Sequence, residues 1–574
     1  MWTRLIEEGV VPQPSTSTTL GANAHRGRSK FASCPGQSLA AMCLGLFAFA
    51  GAAQAQTMQP GRVWTHSSAT AGWIPHSVAL GNHGSQAVMS ADGFEGFSRS
   101  IHCGVDDPAA AFWSSSSPVF WRGTRIVSFD DDRNVDSKIC QATLECLHSD
   151  YFTPWTPRVR IFHANGTQAG ASYTFPMSAA AAVAPSTGLT AAKDGNTIAA
   201  AVFDPQVNQI RLAVFKDRSP QPTATFLLSS FGPISSMVGS ADGSTVVVVS
   251  TTFTFVVDTR GAGSVTTLGN FGGTTGAAAV SGNGDTLVRT NLAGDVSIYR
   301  RSGSTYDFVA SRGSSSPDVG CRHLALSEDG RWLASGWNHS PSYLQIHLEV
   351  WDLQGSTITP VFQDQRTASG SFTNTVKDVD ISSDGQFVAV GLSGDGTGLS
   401  PEVLGYQRNL GTGQWSNVLA HNLPGSVQDL DISPDGRGLV VGSKSVHDNI
   451  LGGGGRTDYF NMTVRDGVLG GRPQIGQTVT LRFQVTPGSP VTIFRNERYA
   501  PNPTSFGSIG QLKLRRVGMD IHWTGTADGT GLVEVPVVLE AAQAGRTIHF
   551  QAFATSPRRL SEDTVTITVP AAQN

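Results

Sequence analysis

The chain has 574 residues, of which only 15% are charged and 39% hydrophobic, with 65 glycines. Low charge with abundant Gly, Ser, Thr and Val favours many short strands joined by tight turns, and it excludes collagen and coiled coils. With 40 Lys and Arg against 44 Asp and Glu the net charge is −4, so no basic excess exists to neutralise phosphates and nucleic acid is not an expected partner.

The first 55 residues read as a targeting segment. Arg26, Arg28 and Lys30 precede an apolar run from Leu39 to Ala53, and Ala53-Gln54-Ala55 gives the small-x-small pattern of a signal peptidase site. Cleavage is expected after Ala55, with residues 1–25 an over-extended start. The run spans about 15 residues, short of the roughly 20 that cross a bilayer, so no transmembrane segment is expected after signal removal. Four basic and two acidic residues leave with the leader, which takes the charge from −4 to −6. An extracytoplasmic location follows: secreted, periplasmic or at the cell surface.

Export changes the meaning of the cysteines. Cys103, Cys140, Cys146 and Cys321 remain in an oxidising compartment, and the nearest pair, Cys140 and Cys146, is the expected disulfide. Their C-x5-C spacing lacks the second pair that zinc requires. Cys103 and Cys321 are expected to be buried small hydrophobes.

Next along the chain come repeated hairpins. HSVALGNHGSQAVMS turns around Gly84, and RIVSFDDDRNVDSKICQATL turns near Arg133. In the latter, Asp130, Asp132, Asn134 and Asp136 place oxygens at alternate positions, as a calcium loop does. Val135 stands where such a loop needs Gly and Gln141 where it needs Glu, so an acidic turn explains the same residues and no metal is assigned. Further hairpins turn at Gly195, Gly243 and Gly284. The clearest read Ser-x-Asp-Gly, at Gly330, Gly385 and Gly436, with Asp bonding the turning backbone and Gly supplying positive φ. The markers recur every 50 residues or so, the length of one four-stranded propeller blade. A β-helix would repeat every 20–30 residues or so.

The unit from Cys321 to Gly355, with Ser-Glu-Asp-Gly in its first turn and Val350-Trp351-Asp352 closing a strand, resembles a WD-type blade. The Ser-x-Asp-Gly series is similar to the WD-repeat and YVTN-like β-propellers of exported bacterial proteins. That resemblance implies an all-β fold with a propeller over 56–467, in which eight blades fit the spacing and seven are the alternative. Ring closure is expected from Arg62–His66 pairing beside Tyr459–Arg465.

After Gly467 the repeat stops. Gly470 to Pro473 reads as a linker, and the alternating runs QTVTLRFQV, SPVTIFRNE, LKLRRVGMDIHWTG, GLVEVPVVL, TIHFQAFA and DTVTITV read as a β-sandwich over 468–574. It resembles the immunoglobulin-like modules of exported bacterial proteins at the level of architecture.

No motif with a catalytic mechanism is present: no G-x-S-x-G, no H-E-x-x-H and no phosphate-binding G-x-x-x-x-G-K-[ST]. His323 reads as a satisfied strand histidine, and tryptophans such as Trp332, Trp337 and Trp351 as wedge fillers between blades. No cofactor and no catalytic residue is assigned. The expected function is a non-catalytic binding scaffold whose propeller loops take protein or glycan. A propeller enzyme of lyase, glycosidase or quinoprotein type, acting in the central channel, is the alternative.

Overall fold

The computed structural model describes residues from Pro60 to Thr568 apart from stretches between strands such as 68–73, 131–138, 149–155 and 179–185. All of them fall within the compact unit Ala55–Asn574. The leader, Gly84, Arg133, Asp132, Asn134 and Asp136 lie outside the described residues; Asp130 ends a strand.

The architecture is all-β and propeller-like. Among the described residues, eight sheets are antiparallel, with innermost, or first, strands Pro75–Leu80, Arg125–Asp130, Thr187–Ala191, Ile234–Gly239, Thr275–Val280, Val319–Leu326, Val376–Ile381 and Val427–Ile432. These first strands adjoin one another in chain order, and the last, Val427–Ile432, lies against the first, Pro75–Leu80. They form a closed circle around a central channel.

Burial follows position within each sheet. Second strands, as in TVVVVS of Thr245–Ser250 and FVAVGL of Phe387–Leu392, are buried throughout because both faces pack on neighbouring sheets. Outermost strands such as Pro360–Thr367 alternate between half-buried and exposed residues, as one solvated face requires. In the sixth sheet Trp332, Trp337 and Trp351 are buried, and the indole N–H groups of Trp337 and Trp351 both donate to Ser335 Oγ, at 2.9 and 3.0 Å. Asp352 takes the Arg331 guanidinium at 2.8 Å.

The chain closes the circle with its own beginning. Gly61–Ser67 pairs antiparallel with Gly455–Asn461 as the outermost strand of the last sheet. Buried Asp458 meets Thr65 Oγ1 and, at 3.7 Å, the Arg62 guanidinium, which fastens the two termini of the ring.

Cys140 and Cys146 correct an expectation. Both lie in the strand Ile139–His148, six residues apart. An extended strand rises about 3.3 Å per residue, so their Cα atoms stand about 20 Å apart, well beyond the roughly 7 Å a disulfide can span. The two cysteines are therefore not bridged to each other. Cys321 is a buried free thiol, its pKa pushed far up by burial.

Beyond the ring, Gly467–Gly470 pairs with Thr478–Gln484, so Gly467 opens the next sheet instead of ending the ring and Gly470 is strand. Thr478–Gln484 and Leu532–Val538 form one layer, and Asp520–Thr526, Pro490–Asn496 and Thr547–Thr555 the other. Their inward residues, including Leu481, Phe483, Ile493, Val535 and Phe550, make one common core. The pattern is the period-2 alternation of face-to-face sheets.

Candidate functional site

Four of the described first hairpins are built from four residues with separate jobs. In Ser327-Glu328-Asp329-Gly330, Ser327 Oγ donates to Asp329 Oδ1 at 2.6 Å and accepts the Trp332 N–H at 2.9 Å, while the same carboxylate oxygen accepts the Arg331 N–H at 2.9 Å. The arrangement recurs at Ser240 and Asp242, Ser382 and Asp384, and Ser433 and Asp435. Gly195, Gly243, Gly284, Gly330, Gly385 and Gly436 have φ of 66 to 72°. Side chains rarely adopt that conformation.

The second position of the turn, before Asp or, in the fifth sheet, Asn283, faces the channel. Lys193, Ala241, Gly282, Glu328, Ser383 and Pro434, from six different sheets, line one mouth of a cavity of about 380 Å³. Backbone bonds run from turn to turn around this mouth: Gly282 N–H to Glu328 O at 2.8 Å, Glu328 N–H to Ser383 O at 3.0 Å and Ser383 N–H to Pro434 O at 2.9 Å. Lys193, on the third sheet, reaches across to Glu328 on the sixth, and donates to Ser383 Oγ at 2.9 Å. An ion pair thus spans this mouth.

Inside the channel the first strands present a free edge, whose N–H groups no strand of their own sheet can take. Carboxylates on the adjoining strand take them. Asp378 accepts the Leu430 N–H at 3.1 Å and Asp380 the Ile432 N–H at 2.8 Å; one sheet on, Asp429 accepts the Val78 N–H at 2.8 Å and Asp431 the Leu80 N–H. His323 Nδ1 stands 3.8 Å from Asp378. Burial pushes Asp380 up to about 6, and the neighbouring Asp378 charge adds to it. Burial, then the Asp380 charge, raises Asp431 well above the usual carboxyl range. Asp380 and Asp431 thus line the same cavity as two buried carboxyls whose protonated forms are favoured.

In each antiparallel meander the connection between second and third strands, and the crossover to the next sheet, lie at the opposite end. There, in the last two sheets, buried polar side chains tie loop to loop. His447 Nε2 faces the carbonyls of Thr373 and Gly394, both at 3.1 Å, and its Nδ1 accepts the Asn449 N–H at 3.1 Å. Phe372 stacks on its ring at 4.8 Å. Glu402 accepts the Leu423 N–H at 2.6 Å, with its carboxyl pushed up to about 7 by burial, and Ser400 donates to buried Asp395 at 2.9 Å. These bonds fix a loop surface on which Asn449 and Ile450 are exposed.

Sequence reasoning placed the turn glycines, but it missed the channel acids and the mouth-lining position. The repeated D-V-D-I and D-L-D-I after Val376 and Val427 carried the signal: acids on a strand face that otherwise alternates apolar. Among the described residues no group of His, Cys, Asp and Glu is arranged to hold a metal, and no helix is long and apolar enough to cross a membrane.

No protein-family model matches the chain, and no curated protein matches it by sequence. Among solved structures it is similar to the β-propeller domain of Myceliophteria thermophila Cps50 (Swd1), at 13% identity and a TM-score of 0.41, over 70% of this chain and 99% of that one. The propeller architecture rests on the closed circle of sheets and not on this likeness.

Proposed function

We propose that this protein is an exported, non-catalytic binding scaffold of bacterial type. It is an eight-bladed propeller that takes protein or glycan on the loop face opposite the Ser-x-Asp-Gly turns, followed by a separable immunoglobulin-like module. The observation that carries this reading is the use made of the channel acids. Asp378, Asp380, Asp429 and Asp431 each accept a backbone N–H from the next strand, and the Lys193–Glu328 pair spans the turn-side mouth. Groups spent on holding strands together are poorly placed to shuttle protons to a substrate. The loop face, in contrast, is ordered by His447, Asp395 and Glu402, and an ordered surface loses less entropy on binding.

The enzyme reading keeps one specific support, the two buried carboxyls of Asp380 and Asp431, both raised by burial, on the wall of one cavity. Incubating the exported protein with polysaccharides, esters and quinone-linked electron acceptors separates the two. The scaffold reading expects binding without turnover, weakened by replacing Asn449 and Ile450. Turnover abolished by Asp431→Asn or Glu328→Gln in a protein that still folds would establish the enzyme.

A further inference from the structure

A second site is built into the C-terminal sheets. Residues 468–574 hold ten Lys and Arg against seven Asp and Glu, a balance of +3 in a chain whose total is −4. The excess is gathered around one cavity of about 450 Å³, lined by Arg495, Arg498, Arg515 and Arg546 together with Glu497 and Asp520.

The carboxylates in this cavity are already engaged. Glu497 binds Arg546 at 2.9 Å, and Asp520 stands 3.8 Å from Arg495. Among the described residues Arg498 and Arg515 have no carboxylate within ion-pair distance. They are nonetheless held side by side, because the Arg515 N–H donates to the Arg498 carbonyl at 3.0 Å. Buried Asn496 enforces the approach. Its amide donates to the carbonyls of Arg515 at 2.6 Å and Val517 at 3.2 Å, and its oxygen accepts the Arg498 N–H at 3.0 Å.

Two like charges held in adjoining turns repel, and a buried amide that fixes them together makes sense when an anion lies between. Guanidinium groups present planar donor forks that match carboxylate or sulfate oxygens two at a time. The cavity exceeds the needs of a single inorganic ion and falls in the range that takes a small organic ligand. Val517 and Ile521, 76% and 64% exposed, add apolar surface nearby of the kind that receives the C–H face of a sugar.

We propose that this cavity binds an oxyanion carried on a carbohydrate, a uronate carboxylate or a sulfate ester, through Arg498 and Arg515. The site is independent of the ring's loop face. It adds to the scaffold reading a glycan-anchoring role for the C-terminal sheets.

Calorimetric titration of the full exported chain tests it, using oligogalacturonate, a sulfated oligosaccharide of equal length, a neutral oligogalactose and inorganic phosphate. Acidic oligosaccharide is expected to bind, the stronger of the two identifying the oxyanion. Affinity should fall as salt rises and drop at least tenfold in Arg498→Gln and in Arg515→Gln, with Arg498→Lys only partly restoring it. Arg482→Gln, which disrupts a surface pair with Glu534 on the other sheet, should leave binding unchanged. Equal binding of the neutral sugar, phosphate binding as tightly as the oligosaccharide, full affinity in both glutamine variants, or no binding of any probe would overturn the proposal. Asn449 and Ile450 variants distinguish this outcome from failure of the loop-face reading, since they should not affect it.

Discussion

Replacing Gly385 by alanine separates two reasons for a turn glycine. The residue has φ of 67°, and a Cβ there would stand 2.3 Å from Trp332 Cδ1 and 2.4 Å from its Cγ, on the preceding sheet. Trp332 cannot yield easily: it is 5% exposed, with Arg408 3.8 Å over its ring and Arg331 at 4.6 Å. The left-handed conformation costs an alanine about 1–2 kcal/mol. Overpacking a filled interior adds about 1–3 kcal/mol, for a total of about 2–5 kcal/mol. Gly413 supplies the comparison, with φ of 73° and nothing within 4 Å of its Cβ position. Gly413→Ala should lose only the conformational part, about 1–2 kcal/mol. Urea unfolding followed by tryptophan fluorescence and circular dichroism gives both values, provided the slopes agree. Equal midpoints for the two variants would refute the idea that the turn glycines serve as sockets for the neighbouring sheet.

Asp380 and Glu402 are raised to about 6 and about 7, so the stability they add in protonated form is complete below about pH 4 and is lost as pH rises through those values. Urea midpoints between about pH 4 and pH 8 should show that loss, and Asp380→Asn should remove its share. Asp429→Ala strips the Val78 N–H of its acceptor and should cost about 1–3 kcal/mol in thermal melts, against little for Asp429→Asn, which keeps an oxygen in place. N-terminal sequencing of exported material should begin at Gln56; a full-length chain kept in the cytoplasm would contradict the leader. Fragments divided before Gly467 should each fold and melt separately, whereas a cut at Gly470 removes a strand from the C-terminal sheets.

What could be read from the sequence was whatever local chemistry dictates. Ser-x-Asp-Gly announces a turn because its hydrogen bonds close within a few residues, and Ser327 to Trp332 shows that closure. The Cys140–Cys146 bridge failed because chain proximity was taken for spatial proximity: one continuous strand keeps the two apart. LKLRRVGMDIHWTG looked like a single run, since alternation continues across the turn at Gly518, yet it is two strands, Gln511–Leu514 and Asp520–Thr526. Asp378 and Asp429 were illegible as bridging groups because their partners, Leu430 and Val78, lie 52 and 351 residues away. Likewise, Lys193 and Glu328 share a local motif position, but only the circle brings them face to face.

The strand Gly61–Ser67 sets the order of events in making this molecule. Its latch joins Thr65 to Asp458, 393 residues later. The first segment of the ring to emerge is thus the last to find its place, and until then an unpaired edge stays open to other chains. Contacts of such long range make for slow folding. A chain whose head emerges first must be shielded until its tail arrives, and one clipped near residue 61 would stay a split washer.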